Sequence, residues 1–255
     1  MHIAQDFQDL FSIASLISLL TLSVLEIVLG IDNIIFISII AGKLPRQKQG
    51  RARAIGLMLA LIMRVALLFS ISWIVGLKKP MFTIMEFGVT GRDMILFAGG
   101  VFLLYKTTVE LHNKVQGYDE SEMNVKKISF RSIVFQIVLI DIVFSFDSIL
   151  TAVGLVTNLV IMVLAVFIAM IIMIAFSGKV SDFINNNPTI KVLALAFLLM
   201  IGFVLILEAS HQHVDKKFIY ITIGFSLFVE MMNIRMRRKS EKKNRDTNND
   251  PRDLI

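Results

Sequence analysis

Leu25–Ile35 reads L-E-I-V-L-G-I-D-N-I-I and sets Glu26, Asp32 and Asn33 in the middle of an apolar run. That run extends from Ser12 to Ala41 with no other charged residue in it. An ionised carboxylate deep in a bilayer costs at least roughly 2–3 kcal/mol, so a membrane helix keeps two only where something compensates them. A second stretch, Ile140–Thr151, reads I-D-I-V-F-S-F-D-S-I-L-T. Laid under the first, it pairs Glu26 with Asp141, Gly30 with Ser145, Asp32 with Asp147 and Asn33 with Ser148, at a constant offset of 115 positions. The acidic membrane motif occurs twice.

The chain has 255 residues, of which 56% are hydrophobic and 18% charged. Its apolar residues lie in unbroken runs near 20 residues long, the length that crosses about 30 Å of hydrocarbon. The expected fold is therefore an all-α membrane protein with seven transmembrane helices. The spans are Ser12 to Ala41, Ala54 to Leu77, Met94 to Leu111, Ser132 to Val156, Leu159 to Phe176, Val192 to Leu207 and Phe218 to Ile234. The first is too long for one straight crossing, and Gly30 between its two acids is the expected weak point. The first residues lack a basic segment ahead of the apolar run, so no cleaved signal peptide is expected.

Basic residues orient the spans. Lys43, Arg46, Lys48, Arg51 and Arg53 fill the first loop, Lys114, Lys126, Lys127 and Arg131 the third, and Arg235, Arg237, Arg238 and Lys239 open the tail. The alternate segments are poorer in them. The expected topology puts the N-terminus outside and the C-terminus in the cytoplasm of a bacterial plasma membrane. The net charge of +6 follows from these loops and does not call for nucleic acid.

The two acidic motifs fall in spans one and four, so they cross the membrane in opposite directions. This is the pattern of an inverted three-plus-three repeat, common among secondary transporters, with one added C-terminal helix. Gly99-Gly100-Val101-Phe102 in span three and Ile201-Gly202-Phe203-Val204 in span six extend the likeness. The expected organisation is a transporter domain over 1–234, with repeat one at about 12–111, repeat two at about 132–208 and the extra helix at 218–234. A disordered basic cytoplasmic tail is expected over 235–255.

Successive helical residues turn by about 100°. Glu26, Gly30 and Asn33 therefore share a face, as do Asp141, Ser145 and Ser148. Asp32 and Asp147 lie about 120° away, and join the same site only through unwinding near Gly30 and Ser145 or through converging helices. The ligands on offer are carboxylate, amide and hydroxyl oxygens. There is no cysteine, and no histidine lies within a span. Such a set favours Mg2+, Ca2+ or Mn2+, and its carboxylates could also carry protons. Arg64 is the counter-charge expected to pair with an acid, and Gln136 a supporting donor to the second motif.

Weaker candidates have plainer readings. Glu230 and Asn233 suit a helix-end ion pair, and Glu208, His211 and His213 an exposed loop. Lys106 and Glu110 suit a snorkelling pair, and the 14 methionines suit apolar packing. An intramembrane aspartyl protease would need G-x-G-D, but Asp32 follows Leu29-Gly30-Ile31. No enzyme activity is expected.

E-I-V-L-G-I-D-N-I-I-F from Glu26, the basic loop after Lys43-Leu44-Pro45, D-I-V-F-S-F-D-S-I-L-T-A-V-G from Asp141, and Glu230 with Asn233 resemble the TerC family of integral membrane proteins. With no appended CBS domains, the chain is similar to the short members. The family is placed with LysE-type transporters, is named for tellurite resistance and includes members linked to manganese export and to metalation of exported proteins. The resemblance implies that Glu26, Asp32, Asn33, Asp141 and Asp147 bind the ion. Ser148 stands where the first repeat has Asn33, as a sixth ligand candidate; Gly30 and Ser145 support the site. It also implies Mn2+ as the transported ion, with no permanent cofactor. The alternative is a membrane partner in tellurite or alkaline-stress tolerance that does not transport, docking lipid or a protein-export or stress partner.

Overall fold

The computed structural model describes residues 12–70, 80–84, 87–116, 129–156, 158–212 and 214–248. Within the first unit, up to residue 213, the apolar run at the N-terminus forms two helices, α1 (Ile13–Leu29) and α2 (Ile31–Gly42), which meet at Gly30. The interruption is one residue wide. Gly30 stays in the right-handed region at φ −83° and ψ −8°, and its N–H bonds Glu26 O at 2.9 Å. A Cβ at position 30 would collide with the sulfur of Met173, so glycine is what lets that neighbour approach.

Then follow α3 (Arg46–Phe69), a hairpin of β1 (Pro80–Ile84) and β2 (Phe87–Thr90), and α4 (Gly91–Val115). Next come α5 (Phe130–Leu155), α6 (Leu159–Asn186) and α7 (Pro188–Ala209). Local chemistry sets several starts. Thr90 and Asp93 form a capping box on α4, Asn158 accepts from the Ile161 N–H at the head of α6, and Pro188 occupies the first turn of α7.

The stretches Ile13–Gly42, Arg46–Phe69, Gly91–Val115, Leu159–Asn186, Pro188–Ala209 and Lys217–Arg237 are each long and apolar enough to cross a membrane. The helix α5, at 26 residues, carries Asp141 and Asp147. The burial pattern is inverted relative to a water-soluble protein. Leu20, Ile62, Phe97, Phe135, Ile171 and Phe203 face outward, while Glu26, Asp32, Asn33, Arg64, Asp141, Ser145 and Ser148 are buried. Apolar side chains outside and charges inside is the arrangement that lipid as solvent demands.

Helix packing runs across the sequence. The most extensive contact joins α4 to α7; α3 packs on α5 and α6, and α1 and α2 pack on α6. Small residues sit at these crossings, where close approach replaces the hydrophobic effect as the source of adhesion. A Cβ on Gly100 would lie 2.8 Å from Gly202 O, and one on Gly202 would lie 3.2 Å from Gly100 O. The contact between the two glycines is reciprocal. Leu22, Leu68, Phe146, Ile149, Met162 and Val166 form an apolar core among α1, α3, α5 and α6.

The all-α class holds, with a short hairpin added between α3 and α4 that pairs Thr83 with Gly88 and Ile84 with Phe87. Several finer expectations are corrected. The expected second span begins at Ala54, but α3 starts at Arg46, so Arg46, Lys48, Arg51 and Arg53 ride on its first turns. The expected fifth span ends at Phe176, yet α6 continues through polar residues to Asn186. Whether the helix unwinds near Ser145, which the sequence leaves open, is answered by a continuous α5. In the second unit, α8 (Lys216–Asn248) runs well past Ile234, into the segment expected to be disordered. Arg, Lys, Met and Glu dominate 235–243, and all are strong helix formers. The last residues of the tail, 249–255, the end of the expected second span, 71–77, and most of the third loop, 117–128, lie outside the described residues.

The glycine crossing yields a direct check. Gly100→Val should destabilise the bundle by about 1–3 kcal/mol or more, because its added atoms meet the backbone of Gly202 and Ile206 as well as the Ile206 side chain. Gly50→Ala, at an exposed helical site with nothing within 4 Å of the added carbon, should be neutral or slightly stabilising. Thermal unfolding of the two variants in detergent compares them.

Candidate functional site

The two acidic motifs meet on one arginine. Arg64 hangs from α3 and is 2% exposed. Its Nη1 donates to Glu26 Oε2 at 2.6 Å, its Nη2 to Asp141 Oδ1 at 3.2 Å and its Nε to Ser145 Oγ at 2.8 Å. Glu26 comes from α1, one turn before the break at Gly30, while Asp141 and Ser145 come from α5, one turn apart. Glu26 is 2% exposed and Asp141 1%. The spacing i, i+4 aligns Ser145 with Asp141, and its hydroxyl donates to Asp141 Oδ2 at 3.0 Å.

Asn33, in the first turn of α2, links the two acidic motifs by donating Nδ2 to Asp141 Oδ1 at 2.9 Å. That bond fixes the amide orientation, since only the nitrogen can face a carboxylate. The amide oxygen, Oδ1, is buried and accepts no hydrogen bond among the described residues. A buried carbonyl left in this state costs free energy unless an ion or donor reaches it.

Every other candidate has a defined place. Asp32 is buried in the first turn of α2, where the helix N-terminus favours a negative charge. Ser148 is buried, and its hydroxyl donates to Ser145 O in its own helix at 3.2 Å. The side chain of Asp147 lies outside the described residues. Among the described residues no group of three His, Asp or Glu side chains is placed to hold a metal. The converged unit is two carboxylates, an amide and a hydroxyl around a guanidinium.

Gln136 does not support the site. Its Nε2 donates back to Ser132 O at 3.1 Å. Five positions separate it from Asp141, which turns it about 140° off the acidic face. The expected Lys106–Glu110 pair is replaced by an ion pair between Glu110 and Lys43, which joins α4 to the chain just after α2. His211 is engaged by Asp93, with Nε2 and Oδ2 2.9 Å apart, and Arg92 lies 3.7 Å from Glu208, so this group links the start of α4 to the end of α7. His213 lies outside the described residues. Asn233 Nδ2 donates to Glu230 Oε2 at 3.3 Å within α8.

Two features escaped the sequence reading. Ser23 is buried one turn before Glu26, and its hydroxyl finds no partner among the described residues. The spacing of Ser23, Glu26, Gly30 and Asn33 extends one polar stripe and could have revealed it. Arg53 Nη1 donates to Ser181 Oγ at 3.0 Å, and Asn185 Nδ2 bonds the same oxygen at 3.2 Å. No motif spacing signals that clasp.

The sequence pattern of the integral membrane protein TerC family matches residues 11–245. The chain belongs to the TerC family. It is 50% identical over 221 residues to the UPF0053 inner membrane protein YoaE of Escherichia coli strain K12, covering 86% of this chain and 43% of that protein. The chain thus spans less than half the length of YoaE. It is 46% identical to a UPF0053 protein of Haemophilus influenzae over 223 residues, 87% of this chain and 94% of that one. It is also 45% identical to the UPF0053 inner membrane protein YgdQ of Escherichia coli strain K12 over 220 residues, 86% of this chain and 92% of that one. No solved structure matches. This TerC chain is therefore a multi-pass integral membrane protein, and its buried charges are set at the helix crossings of a membrane bundle.

Removing one member of a buried ion pair strands the other. Arg64→Met should cost about 3–5 kcal/mol, and adding Glu26→Gln should recover part of the loss. Gln136→Ala should stay within about 0.5 kcal/mol of the parent. A double-mutant cycle on unfolding in detergent measures the coupling.

Proposed function

We propose that this TerC protein is a transporter of a hard divalent cation, foremost Mn2+, and not an enzyme. The observation that carries the reading is a charge deficit. Glu26 and Asp141, one from each copy of the motif, share a single guanidinium in the buried interior of the bundle. Two carboxylates against one arginine leave a negative charge that a cation or a proton can offset. The oxygens of Asn33 and Ser145 complete a donor set that suits Mn2+, Mg2+ or Ca2+. The TerC resemblance favours Mn2+ among them.

An inverted repeat accounts for the packing. Exchanging α1–α2 with α5, α3 with α6 and α4 with α7 maps the α1·α6 contact onto α5·α3, and α2·α7 onto α5·α4. The reciprocal contact of Gly100 and Gly202 fits the same exchange. On this reading repeat one covers about 12–111 and repeat two about 132–208, with the span inside α8 as a seventh crossing, in the manner of the LysE-type superfamily. Basic residues on the first turns of α3 and in α8 favour an outside N-terminus and a cytoplasmic C-terminus in a bacterial inner membrane. The chain would move the ion outward by exposing the site alternately to each side. Asp32 and Asp147 are proposed as further ligands, with Ser148 in reserve.

Purified protein in liposomes should accumulate Mn2+, and Asp32→Asn, Asp147→Asn and Asp141→Asn should each lower the rate at least tenfold, an effect of about 1.4 kcal/mol. Cells carrying the active protein should tolerate excess manganese better than cells with these variants. Uptake indistinguishable from protein-free liposomes would contradict the reading and turn attention to a non-transporting stress partner.

A further inference from the structure

We propose that Arg64 is a tethered competitor of the cargo, so that its guanidinium and a divalent cation exclude each other from Glu26 and Asp141. This rests on the transport reading above. Three of the guanidinium nitrogens are committed, to Glu26, Asp141 and Ser145. Those oxygens are the ones a hard cation would use. One guanidinium offsets half the charge of the two carboxylates, whereas one divalent ion offsets all of it. Guanidinium and metal together would leave an excess positive charge at a buried site, which a low-dielectric setting opposes.

The Asn33 amide supplies an independent sign of a ligand. Its nitrogen is held by Asp141, and its oxygen, in a residue 2% exposed, accepts no bond among the described residues. The guanidinium makes its three bonds to Glu26, Asp141 and Ser145 and none to that oxygen. A metal ion drawing on Glu26 and Asp141 can satisfy it. The guanidinium also hangs from a different helix than the acids, α3 against α1 and α5, so the exchange requires one side chain to leave while the ligands stay. The acids are then never without a counter-charge, and the ion is held less tightly than its ligands alone would hold it. Weaker holding favours release.

The test is Mn2+ binding to the purified full-length protein in detergent, followed by the electron paramagnetic resonance signal of free Mn2+. Arg64→Met removes the competitor and Arg64→Lys weakens it, since one ammonium cannot make the same forked contacts. Arg64→Met should bind Mn2+ at least about tenfold more tightly than the parent, and Arg64→Lys more tightly by a smaller factor. In liposomes Arg64→Lys should lower both KM and turnover. A purely structural role for Arg64 predicts the opposite, weaker binding as the site loosens. Should Arg64→Met not survive purification, Arg64→Lys decides alone. Parent protein that binds and transports Mn2+, beside an Arg64→Lys variant that binds it no more tightly, would overturn the competitor and leave transport standing. Absence of Mn2+ binding in every form would remove both.

Discussion

The structure depends on how a lipid-facing bundle keeps charge in its interior. Arg64, Glu26 and Asp141 lie where ionised groups are costly, and the arginine is retained by the two acids as each acid is by the arginine. Three helices must supply them. Glu26 fixes the end of α1, Arg64 a point along α3 and Asp141 the middle of α5, so the ion cluster defines where these helices meet. Hydrocarbon outside the bundle offers no preference for one register over another. The charged cluster does, because a slip of one residue would turn a carboxylate toward lipid. This registration role and the proposed ion-binding role are compatible, since a site that moves charge must also be positioned by it.

Packing around the cluster follows the same constraint. With apolar side chains equally at ease in lipid, helices hold together by close approach and by polar bonds. Gly100 and Gly202 let α4 and α7 touch backbone to backbone, and Gly56 and Gly99 admit Ile137 and Val143 of α5. Polar clasps hold the edges: Glu110 with Lys43, Arg53 with Ser181, and Asp93 with His211. Each joins elements distant in sequence. The bundle is thus pinned by polar contacts at its edges and by charge in the middle, with small residues between.

Much of this was legible because helical phase and membrane cost are both simple. The 100° turn places Glu26 with Asn33 and Asp141 with Ser145, and the cost of a lone arginine in an apolar run points to an acid partner. What could not be read is equally physical. Gln136 lies near the motif in sequence but off its face, and proximity was mistaken for phase. Hydropathy marks where a helix leaves lipid, not where it ends, so α6 and α8 outrun the expected spans through Ser177–Asn186 and Arg235–Asn248. The hairpin sits in a short stretch whose alternation is masked by its apolar neighbours. The partner of Glu110 could not be inferred from Lys106, because an i, i+4 neighbour loses to Lys43 when the fold brings the latter against it.

The two copies of the motif are chemically alike but not conformationally alike. Copy one breaks at Gly30 and copy two runs straight through Ser145. Asn33 reaches across to Asp141, whereas Ser148, its counterpart, turns its hydroxyl back to its own helix. The single arginine comes from α3, in the first half. In the proposed inverted repeat, alternating exposure would require the two halves to differ at any one moment. Here the difference is concentrated in the residues that hold the charge. Glycine at one copy admits Met173 beside the one-residue interruption, and serine at the other bonds both Arg64 and Asp141 from an unbroken helix. The asymmetry is therefore written into the side chains proposed to meet the cargo ion.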